Sequence, residues 1–112
     1  MQRLDQVNEH LRTEFSAILP REIELPDDSL VTVTRVETSR DLQHAKVYVS
    51  ILPQDREEEI FSYLVKQLPH LQQELVPKLT MKFSPKLSLA IDEHAKHASH
   101  IDALLDNLSE DL

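Results

Sequence analysis

The sequence has no cysteine, no glycine and no tryptophan in 112 residues, and aromatic side chains make up only 4% of it. Without cysteine there is no disulfide, no thiol nucleophile and no zinc site built on Cys ligands, which fits a reducing compartment. Without glycine there is no Walker loop, no dinucleotide GxGxxG turn and no GxSxG elbow, because each needs a residue that takes φ > 0 or lets backbone approach a phosphate. No apolar run reaches the roughly 18 residues of a membrane span. The polar start, Met1-Gln2-Arg3-Leu4-Asp5, lacks a signal-peptide core. The expectation is a cytoplasmic protein with no membrane partner and no cofactor. Its length suits one domain over residues 1–112, with a core of about 3–108 and a short acidic end. Such a domain buries about two-thirds of its unfolded surface and needs no staple. Twelve Lys+Arg stand against 20 Asp+Glu, for a formal charge of −8. That balance opposes indiscriminate adhesion to nucleic acid and makes the distribution of charge the question.

Leu4, Val7, Leu11, Phe15, Ile18 and Leu19 carry helical spacing, and Pro20 disfavours helical geometry at the residue before it, so a helix is expected over 3–19. Leu30 to Val36 is β-branched. Val31 and Val33 share a face that Val36 does not, unless a bulge near Arg35 restores it or both faces are buried. Ala45, Val47, Val49 and Ile51 alternate cleanly with Lys46, Tyr48 and Ser50. Strands are expected near 31–37, 45–51 and 86–91. Asp55 suits an N-cap, and Glu57, Glu58 and Glu59 suit the first turn of a helix whose buried stripe is Ile60, Phe61, Leu64, Val65 and Leu68. Pro69 should break or kink it, with Leu71, Leu75 and Leu79 carrying the helical spacing beyond and Pro77 standing against helix past Val76. Asp92 can cap a last helix with Ala98, Ile101, Leu105 and Leu108 inside. The result is an α+β sandwich of order α-β-β-α-kink-α-β-α, a three-stranded sheet covered on one face by helices.

Catalytic and metal constellations do not survive comparison with plainer readings. His94, His97 and His100 fan across a helix surface and read as solvated, while His10, His44 and His70 stand alone in the sequence. Ser39, Asp41 and His44 crowd one short connection, where an Asp fixes a turn through backbone N–H groups more readily than it orients a base. Neither a catalytic group nor a metal is expected. Charge asymmetry is more informative. From Ile60 to Ile91 the chain holds Lys66, Lys78, Lys82 and Lys86 against Glu74 alone, a net +3 that leaves −11 elsewhere. A phosphate-facing patch on an acidic body is the reading this favours, extended by Arg35, Arg40 and Lys46 if the sheet faces the same way. Tyr48 and Phe83 are among the few residues able to stack bases, so single-strand readout has little support.

The segment Val31-Thr32-Val33-Thr34-Arg35-Val36-Glu37-Thr38-Ser39-Arg40-Asp41-Leu42-Gln43-His44-Ala45-Lys46-Val47-Tyr48-Val49-Ser50 resembles the central signature of the bacterial ribosome-binding factor A family. Pro85-Lys86-Leu87 and the apolar strand ending at Asp92 resemble its second landmark. The resemblance implies a KH-like domain of type II without the GxxG loop. It also implies a non-catalytic monomer that binds the small (30S) ribosomal subunit and its rRNA and assists late maturation, including 5′-end processing, with a role in cold adaptation. This chain has Gln6 and Gln72 where the family commonly carries Arg, and keeps Lys82 ahead of the Pro-x-Leu landmark. The alternative from another class is a protein-interaction module whose acidic helices meet a basic partner.

Overall fold

A computed structural model describes residues 3–26, 28–79 and 84–94. In order, it shows α1 (Arg3–Glu22), β1 (Leu30–Thr38), β2 (His44–Leu52), α2 (Glu57–Leu75) and β3 (Lys86–Ile91), with 3-10 turns over Gln54–Arg56 and Val76–Lys78 on either side of α2. This is the expected α+β arrangement. The final helix lies outside the described residues apart from Glu93 and His94, which are helical.

The strands form one sheet in the order β1-β2-β3, with β1 antiparallel and β3 parallel to the central β2. A parallel neighbour cannot be reached by a hairpin, so the chain needs a crossover, and α2 supplies it. Ala45, Val47, Val49 and Ile51 are buried against the helices, whereas Lys46 is exposed and Tyr48 and Ser50 half-exposed on the other side, as the alternation predicts. The core is completed by Leu11, Phe15, Ile18 and Leu19 of α1, Ile60, Leu64, Leu71 and Leu75 of α2, and Leu87 of β3.

The imperfect alternation of β1 is a bulge. Val33 pairs with Val49 and Arg35 with Tyr48, leaving Thr34 as the extra residue. The shift returns Val36 to the core face beside Val33, both about 5% exposed or less.

Several local expectations are corrected. First, α1 does not stop before Pro20 but runs to Glu22, and Ile23 N–H donates to the Leu19 carbonyl at 3.0 Å. Second, Pro69 does not break the second helix in two: α2 runs from Glu57 to Leu75 with Pro69 inside it, which leaves only the kink of the expected break or kink. The reason is shared. Each proline lies on an exposed side of its helix, and the carbonyls deprived of a donor belong to the exposed residues Ser16 and Val65, where water can serve them. Burial of Ile23, Leu71 and Leu75 beyond the prolines offsets the lost hydrogen bonds. Val65 itself is 44% exposed and not part of the buried stripe, being one step round the helix from Leu64. Third, Asp55 is not the N-cap of α2. It lies inside the preceding 3-10 turn, so α2 begins at Glu57 behind Arg56.

Gln72 has a structural task. Its side-chain Nε2 donates to the Pro85 carbonyl at 2.9 Å, and its Oε1 accepts from Leu87 N–H at 3.1 Å. Lys86 N–H meanwhile donates inward to the Gln43 carbonyl at 2.9 Å, so Pro85 and Leu87 present their backbone groups to the outer edge. One glutamine on α2 therefore acts as a short surrogate strand and closes the start of an open edge. Replacing Gln72 with Ala leaves a part-buried donor and acceptor unmet and is expected to cost about 1–2 kcal/mol. The exposed neighbour change Gln73→Ala is expected to stay within about 0.5 kcal/mol. Urea unfolding with unchanged m-values is the measurement, and equal stabilities for the two variants would refute the edge role.

Candidate nucleic-acid interface

The pleat of β2 decides which cations meet. On the sheet face away from the helices, the register sets Glu37, Lys46 and Ser88 in one row and Arg35, Tyr48 and Ala90 in the next, with His44 beside Lys86 in the row before. Lys46 and Lys86 are both exposed and diagonal to one another, roughly 8 Å apart at their Cα atoms given ordinary strand geometry. Exposed Arg40 lies in the β1–β2 connection, which adjoins the first residue of β3 through the Lys86–Gln43 backbone hydrogen bond. Arg40, Lys46 and Lys86, with His44, thus gather at one end of the sheet.

Arg35 is on the same face but is engaged. Its guanidinium lies 3.9 Å from the centroid of the Tyr48 ring and pairs with Glu37 through Nη1, and its Nε is 3.7 Å from Asp92 Oδ2. Tyr48 Oη in turn donates to Glu37 Oε2 at 3.2 Å. The bulge residue joins in: Thr34 Oγ1 donates to Asp92 Oδ2 at 2.5 Å, and Asp92 is 5% exposed, the one buried charge among the described residues. Two acids therefore neutralise Arg35 and hold it over the ring, so it shapes the face more than it offers a free charge. Lys46 Nζ, 5.9 Å from the same ring centroid, makes no ion pair among the described residues; nor do Arg40 or Lys86.

The β1–β2 connection is fastened without glycine. Ser39 N–H donates to the His44 carbonyl at 2.8 Å, and His44 N–H returns a bond to Ser39 Oγ at 3.1 Å. Ser39 Oγ donates to Asp41 Oδ1 at 2.6 Å, which also accepts from Gln43 N–H at 3.1 Å. Leu42 takes the left-handed conformation, φ 62°, that a glycine would usually fill. The Ser39 hydroxyl bond, with the Gln43 amide second, holds the Asp41 carboxyl below its ordinary value. Ser39, Asp41 and His44 form a turn lock that presents Arg40, with the histidine contributing its backbone.

The fold splits the remaining lysines of the basic segment. Lys66 is exposed on the outer side of α2, across the core from the sheet face. Lys78 is exposed in the 3-10 turn after α2, and Lys82 lies outside the described residues. The sequence therefore anticipates Lys46 on this face. It misses that the parallel pairing of β3 brings Lys86 and His44 together, and that Glu37 and Asp92 occupy Arg35.

A sequence model of ribosome-binding factor A matches residues 3–105. The factor of that name from Clostridium novyi is 34% identical over 110 residues, covering 96% of this chain and 91% of the relative. The crystal structure of ribosome-binding factor A from Thermus thermophilus superposes with a TM-score of 0.70 at 20% identity, over 80% of this chain and 97% of that one. A homology model of the Thermus thermophilus protein, fitted into a cryo-EM map of its complex with the 30S subunit, gives a TM-score of 0.62 at 21% identity, over 74% of this chain and 88% of that one. No helix among the described residues is long and apolar enough to cross a membrane.

The turn lock has a pH signature. A carboxyl held low in the folded chain stabilises it above the unfolded value, and this contribution is lost as pH falls through the folded value. Asp41→Asn removes the charge. The stability gap between the parent and this variant is expected at neutral pH and should shrink below about pH 4. Chemical denaturation from neutral pH into the acid range measures it. A gap independent of pH would show that Asp41 does not act through its charge.

Proposed function

The chain belongs to the ribosome-binding factor A family, and from that premise we propose that it binds the small ribosomal subunit and its rRNA through the basic end of its sheet face. In this reading it acts in the cytoplasm as a monomer and assists late maturation of the subunit RNA, including 5′-end processing, without a catalytic step of its own. The observation that carries the reading is the meeting of Arg40, Lys46 and Lys86 beside His44 at one end of the sheet of an otherwise acidic chain. Three cations without acidic partners among the described residues can neutralise phosphates, while the surrounding net charge of −8 suppresses adhesion elsewhere. The 30S complex formed by the Thermus thermophilus relative supports the choice of target.

The same geometry favours recognition of shape and phosphate position over base identity. A usual KH domain clamps about four single-stranded nucleotides with a glycine-rich loop. Here the stretch around Leu68-Pro69-His70 is the interior of α2, where backbone N–H groups are already spent on the helix and Pro69 has none to give. Tyr48, the aromatic on the sheet face, carries Arg35 on its ring.

The test is binding to purified small subunits at matched salt. Lys46→Glu with Lys86→Glu should weaken binding by at least about tenfold, near 1.4 kcal/mol. The log–log salt slope should flatten by about 0.7–0.9 for each phosphate that is no longer neutralised. Lys66→Glu, on the opposite side, should change neither. All three lysines are exposed, so the fold should remain within about 0.5 kcal/mol per site. Short single-stranded oligonucleotides should bind weakly and without sequence preference. Unchanged subunit binding by the double variant, or an equal weakening in Lys66→Glu, would overturn the assignment to the sheet face.

A further inference from the structure

His70 stands four residues before Glu74 on α2, and the fold brings Glu22 of α1 to the same place. The donor atoms of Glu22, His70 and Glu74 all lie within 4.8 Å of one another, and His70 Nε2 is 3.0 Å from Glu22 Oε1. We propose that these three side chains form a binding site for one divalent transition-metal ion of the zinc class, clipping the end of α1 to α2.

Four features support this. The first is scaffolding. His70 and Glu74 are four residues apart on one helix face, and Glu22 is the last residue of α1. Each is followed by a core anchor, Ile23, Leu71 or Leu75, exposed by 5%, 0% and 2%, so the backbone under every donor is fixed. The second is distance. Two donors about 2.0–2.2 Å from one tetrahedral ion stand roughly 3.3–3.6 Å apart, a little more than the 3.0 Å between His70 Nε2 and Glu22 Oε1. Closing the set draws together donors that already lie within 4.8 Å of one another. The third is charge. Two carboxylates meet at the negative end of the α1 dipole, and no Lys or Arg pairs with either among the described residues. The fourth is ligand chemistry. One imidazole nitrogen with two carboxylate oxygens suits Zn²⁺, whereas Ca²⁺ and Mg²⁺ take oxygen almost alone. Three protein donors leave a fourth position to water. Binding replaces the His70–Glu22 hydrogen bond and releases any proton held there. The site is independent of the sheet face and does not rest on the ribosomal reading.

Titration of the full chain with Zn²⁺ alone should give one-to-one binding and a zinc-dependent rise in Tm. His70→Ala and Glu74→Gln should each weaken binding by about tenfold or more and abolish the rise, an effect at least as large as that of removing a supporting partner of a ligand. Replacing His94, His97 and His100 together with Ala should leave the zinc site intact. Cobalt(II) substitution gives a second readout, since its visible bands should alter in His70→Gln. Circular dichroism without metal confirms that each variant is folded. Absence of zinc binding by the parent chain, unchanged affinity in His70→Ala, or weakening confined to the triple histidine variant would each overturn the proposal.

Discussion

The pleat of the central strand is the constraint on which the rest of the molecule depends. β2 is hydrogen-bonded on both sides, and its odd-numbered residues from Ala45 to Ile51 are 0–2% exposed. A slip of one residue would exchange that row for Lys46, Tyr48 and Ser50, so packing leaves no freedom of register. Once that face is committed to the helices, the other must carry whatever polar function the sheet has. The choice of a parallel β3 follows from the crossover through α2, and it returns the chain to the start of β2, opposite the end from which it left. Lys86 consequently sits beside His44, next to the turn that carries Arg40, although about forty residues of sequence lie between them.

The lack of glycine is answered locally by side chains. Asp28 and Leu42 take positive φ, and the turn containing Leu42 is secured by reciprocal hydrogen bonds of Ser39, Asp41 and His44. A left-handed non-glycine residue costs about 1–2 kcal/mol, so the number of hydrogen bonds in this short connection has a thermodynamic reason. The bulge at Thr34 works in the same way at the other end of the sheet face. It repairs the core alternation of β1, and it frees a hydroxyl to bind Asp92 just after β3, spanning the central strand. The buried carboxylate is satisfied there by that hydroxyl and approached by Arg35, a requirement for any acid so far from water.

Charge on this fold is sorted by neighbours more than by composition. Arg35 belongs by sequence with the other cations, but Glu37 and Asp92 claim it and Tyr48 supports it. Lys66 and Lys86 belong to one basic stretch of the sequence, yet the sheet and the helices separate them. Gln72, read in sequence as a missing arginine, is the residue that finishes the exposed edge of β3. Its amide can donate and accept at once, which a guanidinium cannot.

Period and local chemistry were enough to read much of this chain one element at a time. The stripe of α1, the three strands, the bulge and the turn role of Asp41 all follow from interactions within a few residues. The ends of the helices were not legible, because Pro20 and Pro69 break local rules whose cost is offset by Ile23, Leu71 and Leu75 packing against distant strands. Nor was it legible which cations remain free, or that Glu22, His70 and Glu74 meet, since these depend on contacts between residues up to 58 positions apart, the span from Thr34 to Asp92. Spacing along one element fixes which face a side chain occupies. Only the pairing of elements decides what faces it.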